Sequence, residues 1–261
     1  MDTHVFDTKP EIWREVQEPN YSLIIIVVSL VLFYILSLIA ASVTPLVARK
    51  SAWKWKNFSA SFIHALISSA WAMICFFERP DMAEDLITVY TPLSHSLVSF
   101  SVGYFIFDAI ALLGQRDKQA YELVGHHAVI ICCFMVPVLS HHYVGYAVVA
   151  LMVEWNSIFL HLRQLLQICG VSKLNAWYRL NSLTNLATFI VFRILLLAWM
   201  TRWIVINKDH VPLVFYTMGS VGLAIMVVMN IVLFYRLLRS DFVSLRNSHS
   251  DLRVVDKPAD E

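Results

Sequence analysis

Charge is scarce in this 261-residue chain: Asp, Glu, Lys and Arg together make up 15% of it, against 58% for the hydrophobic types. Soluble domains carry about 25% charged and about 45–50% apolar residues, so a soluble enzyme, a nucleic-acid binder and a disordered chain are excluded. Lys and Arg number 20 against 19 Asp and Glu, a net charge of +1, which gives no bulk field to gather an anionic partner. Cysteine is nearly absent. Cys75, Cys132, Cys133 and Cys169 all lie in or beside apolar segments without a CxxC spacing, so free thiols are expected, with no disulfide scaffold and no zinc site. No HExxH motif and no i, i+4 histidine pair occurs within an apolar segment, and no metal or other cofactor is expected. Residues 1–20 are acidic and lack the apolar core of a cleavable signal, so the first apolar segment is expected to act as its own insertion signal.

What the chain does have is long apolar runs. The uncharged stretches Ser22–Leu46 and Val211–Tyr235 each exceed the ~20 residues that cross a bilayer. Polar punctuation divides the sequence into seven spans, near 22–45, 57–77, 94–113, 124–140, 142–163, 183–206 and 211–235. The reading is an all-α, multi-pass membrane protein, one helical domain without repeats, its backbone polar groups satisfied inside helices. Lys and Arg set the orientation. Fourteen fall in one set of loops, from Arg49, Lys50, Lys54 and Lys56 through Arg116 and Arg163 to Arg236, Arg239, Arg246, Arg253 and Lys257. Five fall in the other set (Lys9, Arg14, Arg79, Arg202, Lys208), and Arg193 is intramembrane. This places the N-terminus outside and the C-terminus in the cytosol.

An ionisable group in mid-bilayer costs at least ~2.5–3.5 kcal/mol, so each one calls for a reason. In the second span Asn57, Ser61, His64 and Ser68 share one face at ~100° per residue, continued by Trp71 and Cys75, and that stripe should face the interior. The third span carries Asp108. The fifth carries Glu154, Ser157 and His161 on one face and Asn156 and Arg163 on the other, so protein should surround it. The sixth carries Ser182, Asn185 and Arg193. Arginine stays charged, and Asp108 and Glu154 are the carboxylates available to pair with it. His126-His127 opens the fourth span. Neighbours on a helix diverge by ~100° and do not easily share a metal, but they can act as acid/base groups oriented by Glu154 or Asp108. Most of these groups fall in the cytosolic half of their spans, which predicts a polar cavity open to the cytosol and plugged toward the outside.

The ordered set Trp53-Lys54-Trp55-Lys56-Asn57, Ser61-Phe62-Ile63-His64, Gly103-Tyr104-Phe105-Ile106-Phe107-Asp108, Tyr121-Glu122-Leu123 before His126-His127, and Leu151 through Leu160, closed by Arg236 to Phe242, resembles the TLC domain. That membrane domain is shared by translocating-chain-associating proteins, ceramide synthases and several lipid-homeostasis proteins. The resemblance implies a six-helix barrel, here with one extra span: an extracellular or lumenal N-terminus at 1–21, the extra helix at 22–46, the TLC domain at 47–242 and a cytosolic tail at 243–261. Ceramide synthases follow the paired histidines with a His-Asp-x-x-Asp pattern. Here Glu154 stands for one Asp, while Val153 and Ser157 replace the other His and Asp.

The branch it most resembles regulates phospholipid composition and fluidity at the plasma membrane, limiting incorporation of polyunsaturated acyl chains. The function expected is therefore lipid regulation, with membrane phospholipids or acyl chains as partners and His64, Asp108, His161 and Arg193 as lipid-binding residues. The alternatives are an acyl-CoA-dependent acyltransferase using His126, His127 and Glu154, or a modulator of a membrane partner such as a channel. The alternative location is the endoplasmic reticulum.

Overall fold

The computed structural model describes residues 19–115 and 117–240. The acidic N-terminus, Arg116 and the tail from 241, with Arg246, Arg253 and Lys257, lie outside the described residues. Seven helical segments are long and apolar enough to cross a membrane, and among the described residues there is no strand. The helices are α1 (Pro19–Ser42), α2 (Ala52–Glu78), α3 (Pro92–Leu113), α4 (Lys118–Ser140), α5 (Val144–Leu151), α6 (Glu154–Ile168), α7 (Ala176–Phe189), α8 (Leu196–Ile206) and α9 (Leu213–Leu238). The fifth span is α5 plus α6. The sixth is α7 and α8 joined by a π-helical turn, Ile190–Leu195.

Six spans close into a ring in the order α2, α3, α4, α9, α8 with α7, and α6 back to α2. The short α4–α5 hairpin is real. Its turn places two non-glycine residues in the left-handed region, His141 (φ 59) and Tyr143 (φ 66). The Tyr143 amide donates to the Ile87 carbonyl at 2.7 Å, which ties the turn to the α2–α3 loop. Helix starts precede the sequence-based bounds where a side-chain cap supplies a partner. Asp117 accepts from the Gln119 amide and Asn175 from the Trp177 amide, so the fourth and sixth spans begin at Lys118 and Ala176 rather than near 124 and 183.

The extra helix α1 lies outside the ring against α3 and α2. Lipid tails are as apolar as leucine, so packing and hydrogen bonds, not hydrophobic burial, must hold it there. Its buried side chains Ser22, Ile26, Ser29, Phe33, Ser37 and Ala40 form one seam. Ser29 donates to the Phe100 carbonyl (2.6 Å), and the Trp55 indole N–H donates to the Ala40 carbonyl (3.0 Å). Gly103 permits the close approach: a Cβ there would meet the Ile26 carbonyl oxygen at 2.4 Å.

In the α2–α3 loop, burial pushes the Asp85 carboxyl up, but the Thr88 hydroxyl and the Thr88 and Ile87 amides outweigh it and hold the pKa below its ordinary value. The folded pKa thus lies below the unfolded one. The carboxylate stabilises the loop above the unfolded pKa near ~3.9, and the contribution fades as pH falls through the folded pKa. Hydrogen exchange at the Ile87 and Thr88 amides should quicken relative to neighbouring amides below about pH 4. Asp85→Asn should remove that acid dependence; an unchanged acid dependence in the variant would refute the assignment.

Candidate functional site

The ring encloses a cavity of about 190 Å³. A water occupies about 10–15 Å³ by the same measure, so the space would hold on the order of ten. Its walls are apolar: Phe105, Val129, Ile130, Cys133, Phe134 and Pro137 from the α3–α4 side, Ala147 and Leu151 from α5, and Leu197, Met200, Ile204, Leu223 and Met226 from α8 and α9. Polar side chains gather at one end, where His126, Glu154, Arg193 and Asn230 form a floor near mid-depth. Beneath the floor Phe189 packs on Phe234 (centroids 5.2 Å apart), and the Arg193 guanidinium lies 5.7 Å from the Phe189 ring centre.

From this floor the cavity runs toward the side of the bundle that holds the start of α1 and the α4–α5 and α8–α9 turns, ending at Tyr143, Val211 and Phe215. The expected opening on the opposite, C-terminal side is therefore corrected. Polar groups on that side are consumed by packing, whereas the other half is held open. Tyr146 packs at 5.0 Å on Trp203 with the rings tilted by 36° and donates to the Met200 carbonyl (3.2 Å), while Pro137 deprives α4 of one helical hydrogen bond. Gly222 keeps α9 low, since a Cβ there would meet the Cys133 Sγ at 3.1 Å. A helical rise of ~1.5 Å per residue separates His126 from Pro137 by about 16 Å. That is close to half of the ~30 Å hydrocarbon core, so the slot is about one leaflet long.

Two departures from regular helix build the floor. Met152 and Val153 break the fifth span with i−3 bonds (Met152 amide to the Val149 carbonyl, 3.0 Å; Val153 amide to the Ala150 carbonyl, 3.3 Å), which delivers Glu154 at the start of α6. Opposite it, the widened π turn carries Arg193; such turns often mark functional positions. Arg193 does not pair with Asp108 or Glu154, contrary to the sequence expectation. Its Nε donates to Asn156 Oδ1 (2.6 Å), Nη1 to Asn230 Oδ1 (2.9 Å) and Nη2 to Ser157 Oγ (2.8 Å). Asn156 is in turn fixed by donating to the Asn185 carbonyl (2.9 Å), Asn185 Oδ1 (2.8 Å) and Thr188 Oγ1 (3.1 Å).

The structure divides the predicted site residues. His126, Glu154 and Arg193 share the cavity; His127, Asp108, His64 and His161 are not on its lining. Asp108 is taken by His127, whose Nε2 lies 2.7 Å from Asp108 Oδ2, and Phe105 packs at 5.4 Å on the His127 ring while lining the cavity on its other side. His64 is fully buried in an aromatic box, stacked on Tyr104 at 3.8 Å and edge-on to Phe33 and Phe105, with Nε2 3.3 Å from Ser101 Oγ. His161 sits at 6.0 Å from Phe58, where α6 packs on α2. The polar stripe of α2 does face the interior: Asn57, Ser61, His64, Ser68 and Cys75 are all buried. Asn156, Ser157 and Asn230 were not singled out as site residues. Asn230 carried a signal, being the only carboxamide in α9.

Fold and cavity together define a seven-span helical membrane protein whose barrel holds an amphipathic slot. The TLC domain model matches residues 54–239, and the chain belongs to that family. It is 52% identical over 217 residues to TLC domain-containing protein 2 of Danio rerio, covering 83% of this chain and 88% of that one. It is 37% identical over 204 residues to TLC domain-containing protein 2 of Homo sapiens (78% and 77% covered). To human TLC domain-containing protein 1 it is 32% identical over 191 residues (73% and 76% covered).

Proposed function

We propose that this chain regulates the acyl composition of membrane phospholipids, and thereby membrane fluidity, by holding an acyl chain in its barrel. It does so at the plasma membrane and limits incorporation of polyunsaturated chains. The observation that carries this reading is the slot itself: apolar walls about one leaflet long above a floor of His126, Glu154, Arg193 and Asn230. A greasy tail fits the walls and a polar head fits the floor. With the N-terminus outside, as the Lys and Arg distribution predicts, the slot lies in the outer leaflet.

Cells lacking the protein and fed a polyunsaturated fatty acid test this. Their phospholipids should gain polyunsaturated chains and their membranes should become more fluid. Wild type should reverse both, and Gly222→Phe, which fills the slot beside Cys133, should reverse neither while reaching the membrane in normal amount. Identical lipid profiles with and without the protein would sink the proposal.

Acyl transfer is the second reading, and the Asp108–His127 contact at 2.7 Å favours it, since a carboxylate can orient an imidazole for proton transfer. Against it, His127 spends Nε2 on Asp108 and its ring is not on the cavity lining. Purified protein given labelled acyl-CoA with an amine or lysolipid acceptor should give no turnover. Turnover abolished by His126→Ala would replace the binding reading with the enzymatic one.

A further inference from the structure

The floor carries one cation and one carboxyl group that do not touch. Among the cavity-lining residues Arg193 is the only Lys or Arg and Glu154 the only acid, and no ion pair joins them. A guanidinium has five N–H donors. Arg193 spends three, all on the uncharged oxygens of Asn156, Asn230 and Ser157, which fix its plane and leave its charge uncompensated at contact. Two N–H groups remain. Ser157 accepts from Arg193 and stands within reach of Glu154, so it spaces the two groups apart. The Glu154 carboxyl has the Ser157 hydroxyl as a hydrogen-bonding neighbour and keeps most of its acceptor capacity. His126 completes the floor on the same lining.

We infer that the slot selects a bipolar amphiphile: one acyl chain whose head carries an anionic group for Arg193 and a protonated amine for Glu154. A simple anion on Arg193 would bring a second negative charge toward Glu154, and a simple amine on Glu154 would bring a second positive charge toward Arg193. In a water-poor site either arrangement is penalised, while a zwitterionic head satisfies both groups at once. This rests on the lipid-slot reading and specifies its ligand.

Cys133 supplies the readout, because its thiol lines the slot while neighbouring Cys132 is exposed. In full-length protein carrying Cys132→Ser, alkylation of Cys133 by a membrane-permeant maleimide is timed against four amphiphiles of equal chain length. These are a lysophosphatidylethanolamine, a fatty acid, an alkylamine and a monoacylglycerol. The zwitterion should protect Cys133 at about tenfold lower concentration than the other three, the gain expected of one extra charge-assisted contact. Glu154→Gln should erase its advantage over the fatty acid, and Arg193→Gln its advantage over the amine. If the monoacylglycerol or either singly charged amphiphile protects as well as the zwitterion, the bipolar assignment is wrong and the slot stands. If no amphiphile slows alkylation, the slot reading itself fails.

Discussion

Asn156→Leu is expected to destabilise the protein by about 3 kcal/mol or more, a larger loss than removing the half-buried arginine it supports. Asn156 is fully buried and makes four hydrogen bonds, one of them at 2.6 Å from the Arg193 Nε. Leucine would leave a charged donor, the Asn185 oxygens and Thr188 without that partner, and an unpaired charged donor is the costliest kind. Arg193→Leu strands the Asn156 and Asn230 amide oxygens at about 1–3 kcal/mol each, but it also removes a mid-bilayer cation that costs about 2.5–3.5 kcal/mol. These terms nearly cancel, so Arg193→Leu should fold about as well as wild type and fail in lipid regulation. The double variant should resemble Arg193→Leu plus a modest loss rather than the sum, because the two residues share partners. Denaturant unfolding in bicelles measures all three. Equal losses for the two single variants would contradict this account of the floor.

Gly103→Val should undock α1. The missing Cβ would sit 2.4 Å from the Ile26 carbonyl oxygen and 2.7 Å from the Ser29 Cβ, neither of which can swing aside as a long side chain could. Overpacking costs about 1–3 kcal/mol where a core can adjust, and a helix held only by packing and a few hydrogen bonds has little more than that to lose. Because α1 is apolar enough to stay in the bilayer alone, the expected result is detachment and not loss of the protein. Ser29, 1% exposed in its seam, reports it. Ser29→Cys should resist a lipid-soluble maleimide in the parent protein and react freely with Gly103→Val present. Protection in both would mean that α1 docks by some other contact.

The spans were legible in the sequence because hydrophobic length is a strong signal, and the α2 stripe because α2 keeps a regular ~100° step from Asn57 to Ser68. The partner of Arg193 was not legible, because charge balance points to a carboxylate, whereas the guanidinium is satisfied by the uncharged oxygens of Asn156, Ser157 and Asn230, brought together from two helices by the packing of the ring. The direction of the cavity escaped for a different reason. Polar depth tells where a charge must be housed, and His64 and Asp108 are enclosed by tight packing with one polar contact each, to Ser101 and His127. Space depends on what fails to meet, here across Gly222, Pro137 and the Tyr146–Trp203 pair.

The central claim is that the barrel holds one amphiphile on a polar floor. Native mass spectrometry of the full chain, released from mild detergent, addresses it directly when wild type is compared with Gly222→Phe and with Gly125→Phe, whose site is exposed and open. The account predicts one amphiphile mass on wild type and on Gly125→Phe, and bare chain for Gly222→Phe. Folded wild type that carries no such mass, or a bound mass that Gly222→Phe leaves untouched, would contradict it.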